Sequence, residues 1–290
     1  MKVRSIERPY LRQGWISKRM ARFGGYTVLI ITTLILIMPI FFLLVSSVKL
    51  DEEFMAWPIR VFPKTFQWSN YAKVFTLTDF GTIALRTATL GVVVAVLVTL
   101  TSAMAGYGFA RYQVPGNSKL FFFVISMLIV PGIVLLIPQF ILYARLRLTN
   151  SYWPWILGAL TGDAFYIFMF RQFFLNFPRE LEEAAEVDGC GPLRIFWQIF
   201  IPNSKPVIAT VMIFAFSGVW GDYLMPLIYL SGDKLLMGVA MATAFVNPKG
   251  VAYKTISMAA NVLFILPLIV MFFLAQKQIL KGVLTSGLKG

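Results

Sequence analysis

The 290 residues are 58% hydrophobic and only 13% charged, against about 25% charged in ordinary globular chains. With a mean hydropathy of +0.76, the chain needs lipid as a solvent for much of its length, which excludes water-soluble, disordered and collagen-like classes. It has no histidine and one cysteine, Cys190, and a net charge of +13; His triads, His-ligated metals, intramolecular disulfides and Cys-rich metal sites are therefore excluded, and the charge points to loops beside anionic lipid before nucleic acid.

Residues 1–25 form a basic segment, with Lys2, Arg4, Arg8, Arg12, Lys18, Arg19 and Arg22 against one acid, Glu7. A first apolar run, Tyr26 to Val48, follows. It is too long for a signal-peptide core, and Val45-Ser46-Ser47-Val48 is a poor cleavage site. Further runs cover about Gly81 to Ala105, Leu120 to Ala144, Tyr152 to Phe170, Pro206 to Leu230, and Ile256 to Ala275. Each approaches the roughly 20 residues of one helical bilayer crossing. Strands of a membrane barrel would alternate in polarity, and these runs do not. The expected fold class is an all-α membrane protein with six transmembrane helices. No internal repeat is visible. With the N-terminus inside, 16 of the 26 Lys and Arg fall in inner segments and nine in outer ones. The positive-inside rule then places both termini in the cytoplasm. Pro39, Pro131, Pro138 and Pro267 interrupt spans, and Pro131-Gly132 with Pro138 predicts a bent third span.

Ionisable residues at a span centre cost on the order of 2.5–3.5 kcal/mol, which makes them site candidates. Arg86 lies near the outer start of span two, Asp163 in the middle of span four, and Asp222 in the outer part of span five. One reading is a polar translocation path whose carboxylates accept sugar hydroxyls. The plainer readings are a snorkelling Arg86 and an inter-helix hydrogen bond at Asp163. Trp220 and Tyr223 can stack a sugar ring or pack an interface. Trp153 and Trp155 suit the interfacial aromatic belt.

The most informative stretch is 177–202, between spans four and five. Pro178 suits a first helical position, and Glu180, Glu182 and Glu183 suit the positive end of a helix dipole. Gly189 permits a left-handed helix end, Gly191 adds freedom, and Pro192 can start a second helix. Leu193, Phe196, Trp197 and Phe200 recur at helical spacing as an apolar face, and Pro202 is expected to end that helix. Small Ala184 and Ala185 let another surface approach, and Glu183 can meet an arginine there. Such a loop fits a groove of a separate protein. An interfacial helix on lipid is the alternative, but its acidic first half would be repelled by anionic headgroups. The loop Ser231 to Thr255, with Asp233, Lys234, Asn247-Pro248-Lys249-Gly250 and Lys254, suits contact with a water-soluble partner or plain solvent.

Glu183-Ala184-Ala185, Gly189, Ile199, Ile201 and Pro202 match the spacing of the "EAA" signature of ABC importer permeases. Ala105-Gly106-Tyr107-Gly108-Phe109-Ala110-Arg111 followed by Pro115-Gly116 is similar to a turn of carbohydrate permeases. Phe170-Arg171-Gln172 before Pro178, and Trp220, Asp222, Tyr223, Pro226 and Leu227, also fit, although Gly221 stands where Asn is usual. Lys289-Gly290 resembles the family's ending. Over roughly residues 20–290 the chain resembles the MalG-type carbohydrate ABC importer permeases.

The resemblance implies an ABC importer permease fold with cytoplasmic coupling helices, a transmembrane domain over 26–290, and residence in a bacterial inner membrane. It implies a second homologous permease, a dimer of ATPase subunits and an extracellular solute-binding protein as partners, beside the lipid bilayer. Glu183, Ala184, Ala185, Gly189, Ile199, Ile201 and Pro202 would form the ATPase coupler, with Lys289 and Gly290 in a tail reaching toward the ATPases. In MalG-type subunits the region 231–255 probes the binding protein. At the family's Glu position, Asp222 reads as structural before sugar-binding. No Walker A sequence is present, so no enzyme activity and no bound cofactor are expected of this chain; ATP and Mg belong to the partners. The expected cargo is a sugar or oligosaccharide. An acidic oligosaccharide or glycerol phosphate is the alternative, left open by Arg86, Arg145 and Arg147. An ion-driven secondary transporter, which would show paired repeats, fits less well.

Overall fold

The computed structural model describes the backbone of residues 10–246 and 250–287, and the side chains of 22–246 and 250–278. The basic residues before Arg22, the Asn247-Pro248-Lys249 run, and Lys289 and Gly290 lie outside the described side chains. The described residues form two compact units.

One unit takes in the described residues up to Ala72, together with Tyr253–Val262. Its main element is α1 (Tyr10–Ser47), followed by the short α2 (Asp51–Met55) and the start of α3 (Ser69–Leu77). Arg22–Ser47 has a mean hydropathy of 3.0 and is long enough to cross a membrane. Side chains from Phe23 to Met38 are exposed all round, a helix built for lipid or another subunit rather than for its own core. Its C-terminal end is pinned by polar bonds. Asn70 donates to the Ser47 and Lys49 carbonyls at 3.0 and 2.9 Å, and Thr255, at the start of α15 (Lys254–Gly287), donates its N–H and hydroxyl to Asp51 Oδ1.

The second unit covers Lys73–Ala252 and Leu263–Gly290. Its axis is α4 (Phe80–Arg111), 32 residues without proline. It packs chiefly against α8 (Ala164–Leu175) and α12 (Lys205–Trp220), and then against α7 (Trp153–Leu160). Gly106 makes the α4–α8 approach possible: a Cβ there would sit 2.6 Å from Phe170 Cβ and 3.1 Å from the Ile167 carbonyl. The remaining elements are α5 (Asn117–Ser126) with a 3₁₀ turn to Ile129, α6 (Gly132–Arg145), the loop helices α9 (Glu180–Val187), α10 (Pro192–Ile195) and α11 (Ile201–Asn203), then α13 (Leu224–Tyr229) and α14 (Met237–Thr243). Among the described residues the β pairing is one isolated bridge, Val246 to Ala252.

The all-helical expectation holds for the described residues, whereas the spans are less regular than six rods. Three single helices are long and apolar enough to cross a membrane, 22–47, 80–111 and 254–278. Two bent pairs raise this to five: 117–129 with 132–145, at 96°, and 192–203 with 205–220, at 82°. The first bend falls at Pro131-Gly132, where the sequence predicts one. The expected fourth span is two helices, α7 and α8, separated by Thr161-Gly162-Asp163, with Gly162 at φ +74°. The expected fifth span stops at Trp220 and resumes at Leu224. The loop after it is no plain solvent loop: Leu236, Met237, Val239 and Ala240 of α14 and its approach are buried.

Candidate functional site

The 177–202 loop folds as α9, a left-handed glycine, α10, a π-helical turn over Phe196–Phe200, and α11. Gly189 has φ +78°, a conformation costing a side-chain-bearing residue roughly 1–2 kcal/mol. Gly191 has φ −73° and ordinary backbone. Pro192 opens α10 as expected, but α9 begins at Glu180, two residues beyond Pro178. Pro202 does not terminate the second segment; it lies inside α11, and the chain turns at Ser204 instead.

One face of this loop is fastened to the unit. Phe196 and Phe200, four residues apart, are buried with Tyr107, Phe170, Phe174, Ala185 and Ile195. The Phe200 ring lies 4.7 Å from Tyr107, 5.3 Å from Phe174 and 5.0 Å from Phe177, spacings that aromatic pairs favour. Ile199, Ile201 and Cys190 pack at the edge of the same cluster. The other face is free of it. Glu183, Ala184 and Gly189 are exposed, and so are Leu181, Val187, Leu193 and Trp197. The single apolar face expected of Leu193, Phe196, Trp197 and Phe200 is thus two faces, one inward and one outward. The Ala pair divides likewise: Ala184 is open to a partner, while Ala185 is buried within the chain.

Sequence reasoning missed what holds α9. Glu182, not Glu183, meets an arginine of this chain: Arg111 Nε lies 3.3 Å from Glu182 Oε2. Tyr107 donates its hydroxyl to Glu182 Oε1 at 3.3 Å, Arg111 Nη2 donates to the Phe177 carbonyl at 2.9 Å, and the guanidinium stacks 5.0 Å over Phe200. The available signal was the Gly106-Tyr107…Arg111 turn, whose Tyr and Arg are four residues apart and so share one helix face. Glu183 is left outward, where a partner's arginine can reach it.

Of the three ionisable residues expected within spans, Asp163 and Asp222 sit at helix breaks, while Arg86 lies within α4. Asp163 is not mid-helix: its Oδ1 accepts the Phe165 and Tyr166 N–H groups at the start of α8, an N-cap. Among the described residues its carboxylate bonds only within α8; toward α4 it is the Asp163 backbone N–H that donates to Ser102 Oγ. Asp222 Oδ1 accepts the Met225 N–H of α13, and Oδ2 accepts Trp155 Nε1 at 3.1 Å. Trp155 is therefore a buried tether rather than a belt residue, while Trp153 is half exposed. Trp220 is buried, stacked between Phe216 and Phe264, and donates to the Phe264 carbonyl; its ring is not open to a sugar, whereas Tyr223 is exposed. Arg86 donates to the Asp233 and Leu235 carbonyls at one wall of a cleft of about 420 Å³ with Tyr152 and Ile156. Among the described residues no group of three or more His, Cys, Asp or Glu is placed to hold a metal.

The helical fold is shared with a known transporter. The fold is similar to that of a chain in the crystal structure of a bacterial ABC transporter involved in the import of the acidic polysaccharide alginate: TM-score 0.76, 22% identity, covering 90% of this chain and 97% of that one. Residues 98–285 match the model of the binding-protein-dependent transport system inner membrane component family. The arabinooligosaccharides transport system permease protein AraQ of Halalkalibacterium halodurans is 32% identical over 264 residues, covering 88% of this chain and 92% of the relative. The sn-glycerol-3-phosphate transport system permease protein UgpE of Yersinia pestis is 28% identical, covering 90% and 95%. The chain belongs to the binding-protein-dependent transport system inner membrane component family, a family of transport permeases rather than catalytic enzymes.

Proposed function

We propose that this chain is the membrane-spanning permease of an ATP-driven importer carrying sugars or oligosaccharides into a bacterial cell, with its ATP and Mg held by separate ATPase subunits. The observation that carries this is the coupling loop: Glu183, Ala184 and the Gly189 turn are exposed on one side, while Phe196 and Phe200 anchor the other in the span core. The partners are a second homologous permease, an ATPase dimer and an extracellular solute-binding protein. Co-expression with neighbouring genes encoding these subunits tests it: the ATPase co-purifies and vesicles take up oligosaccharide only with ATP. An assembly that forms without the ATPase contradicts it. An acidic oligosaccharide or glycerol phosphate is the second reading, favoured by the glycerol-3-phosphate relative; competition of uptake by glycerol phosphate but not by neutral arabinooligosaccharide selects it.

We place six crossings in the bilayer, with α7 and α8 together forming one broken crossing and both termini in the cytoplasm; 1–25 is a basic cytoplasmic segment ahead of a transmembrane domain over 26–290. A C-terminal tag is then protected in intact cells and reached by antibody only after permeabilisation. Labelling from outside intact cells refutes the topology.

Asp163 borders the translocation path, together with Tyr223 and Arg86, while Asp222 and Trp220 hold the adjoining helices. Asn caps a helix about as well as Asp, whereas Ala loses roughly 1 kcal/mol there. Asp163→Asn therefore keeps the fold's thermal stability and removes only the charge. Uptake several-fold below wild type is the expected result, and unchanged uptake removes Asp163 from the path.

A further inference from the structure

Both ends of α4 are tied to loop segments that the permease reading sets against partners. At one end Arg111 and Tyr107 hold Glu182 of α9. At the other, Arg86 donates to the Asp233 and Leu235 carbonyls, and Thr87 Oγ1 accepts the Met237 N–H at 3.0 Å. Met237 and Leu236 are fully buried there. α4 is unbroken over its 32 residues, and from Arg86 to Arg111 it spans about 38 Å at 1.5 Å per residue. Its neighbours are broken. α7 and α8 are parted by the Gly162 break, and α12 stops at Trp220. A helix without proline or a π-bulge transmits displacement along its axis, whereas a broken one absorbs it at the break.

We propose that α4 is the rod linking the ATPase-docking loop to the outer segment 231–237, and that the Arg111–Glu182 pair, braced by Tyr107 and Phe200, is its lower joint. Movement of α9 on ATP binding is thereby delivered to the outer segment. Arg111 and Glu182 are positioning residues: they touch neither nucleotide nor cargo. This rests on the permease reading above and adds a route to it. The competing route is through the Phe174–Phe200 contact into α8. A shared path is shown only by loss of response at one end when the other is perturbed.

The test uses the full complex with its co-expressed ATPase, in a Cys190→Ser background carrying Ser231→Cys as a reporter on the exposed outer segment. The probe is maleimide labelling with and without ATP, Mg and vanadate. In the parent, trapping changes the labelling rate by roughly fivefold or more, within the range of ordinary allosteric coupling. Arg111→Gln or Glu182→Gln abolishes that change while the ATPase stays bound and still traps nucleotide, and the exchanged pair Arg111→Glu with Glu182→Arg recovers part of it. Tyr107→Phe, a milder change, weakens it partially. A wild-type response in both Gln variants overturns the joint, as does a parent that traps nucleotide without any change at the reporter. If the ATPase fails to bind the parent at all, the permease reading itself fails.

Discussion

Gly189→Val is expected to abolish uptake while the spans still insert and fold. Gly189 sits at φ +78°, and beyond its two chain neighbours no described atom lies within 4 Å of an added Cβ. The cost to the isolated permease is therefore the backbone term alone, roughly 1–2 kcal/mol, raised by β-branching. That is enough to reshape the α9–α10 turn but small beside the burial of Phe196 and Phe200, which keeps the loop attached. The side chain also projects from an exposed face, where a close-packed partner groove tolerates little extra volume. Glu183→Lys acts on the same face by charge, placing a cation where a partner's arginine is expected. Size-exclusion behaviour like wild type, with uptake lost and ATPase co-purification reduced, is the predicted pattern for both. Normal uptake with the ATPase bound would remove this loop from the mechanism.

Gly106→Ala is expected to be destabilising, although alanine is the better helix former by about 1 kcal/mol. The added Cβ would lie 2.6 Å from Phe170 Cβ, 3.0 Å from the Arg171 nitrogen and 3.1 Å from the Ile167 carbonyl. These are backbone or backbone-fixed atoms of α8, so no side chain can swing away. The two helices must separate, at a cost of about 1–3 kcal/mol or more, and the clash outweighs the propensity gain. Separation also strains the packing of Tyr107, the next residue. Gly108→Ala is the control: nothing lies within 4 Å of its Cβ, so there the propensity gain stands alone. Thermal unfolding in detergent should show Gly106→Ala below wild type and Gly108→Ala at or above it. Equal shifts would mean that the α4–α8 approach is not as close as described.

The sequence carried the membrane class and the coupling loop because both depend on local signals. Uninterrupted apolar runs defined α1, α4 and α15, and Gly189 with Pro192 marked the turn and the second loop helix. The breaks were less legible. Asp163 reads as a charge within an apolar run, yet Gly162-Asp163 is also a left-handed glycine followed by an N-cap, and the second pattern governs. Asp222 likewise caps α13, but its other partner, Trp155, lies 67 residues away, and no spacing rule reaches that far. The Arg111–Glu182 pair is similarly remote in sequence. Helical periodicity assigned Leu193, Phe196, Trp197 and Phe200 to one face, whereas the burial pattern pairs Phe196 with Phe200 and Leu193 with Trp197 on opposite sides of the loop. Only the packed partner, Tyr107 with Phe174, decides which pair turns inward.

The central claim is that the exposed side of α9 meets an ATPase subunit. A photo-crosslinking amino acid in place of Val187, which is 88% exposed on that helix, reads the contact directly in membranes containing the whole complex. The account predicts a crosslinked product containing the ATPase, lost when Glu183→Lys is added. Illumination that yields crosslinks to lipid alone, with the ATPase present and active in the same membranes, would contradict it.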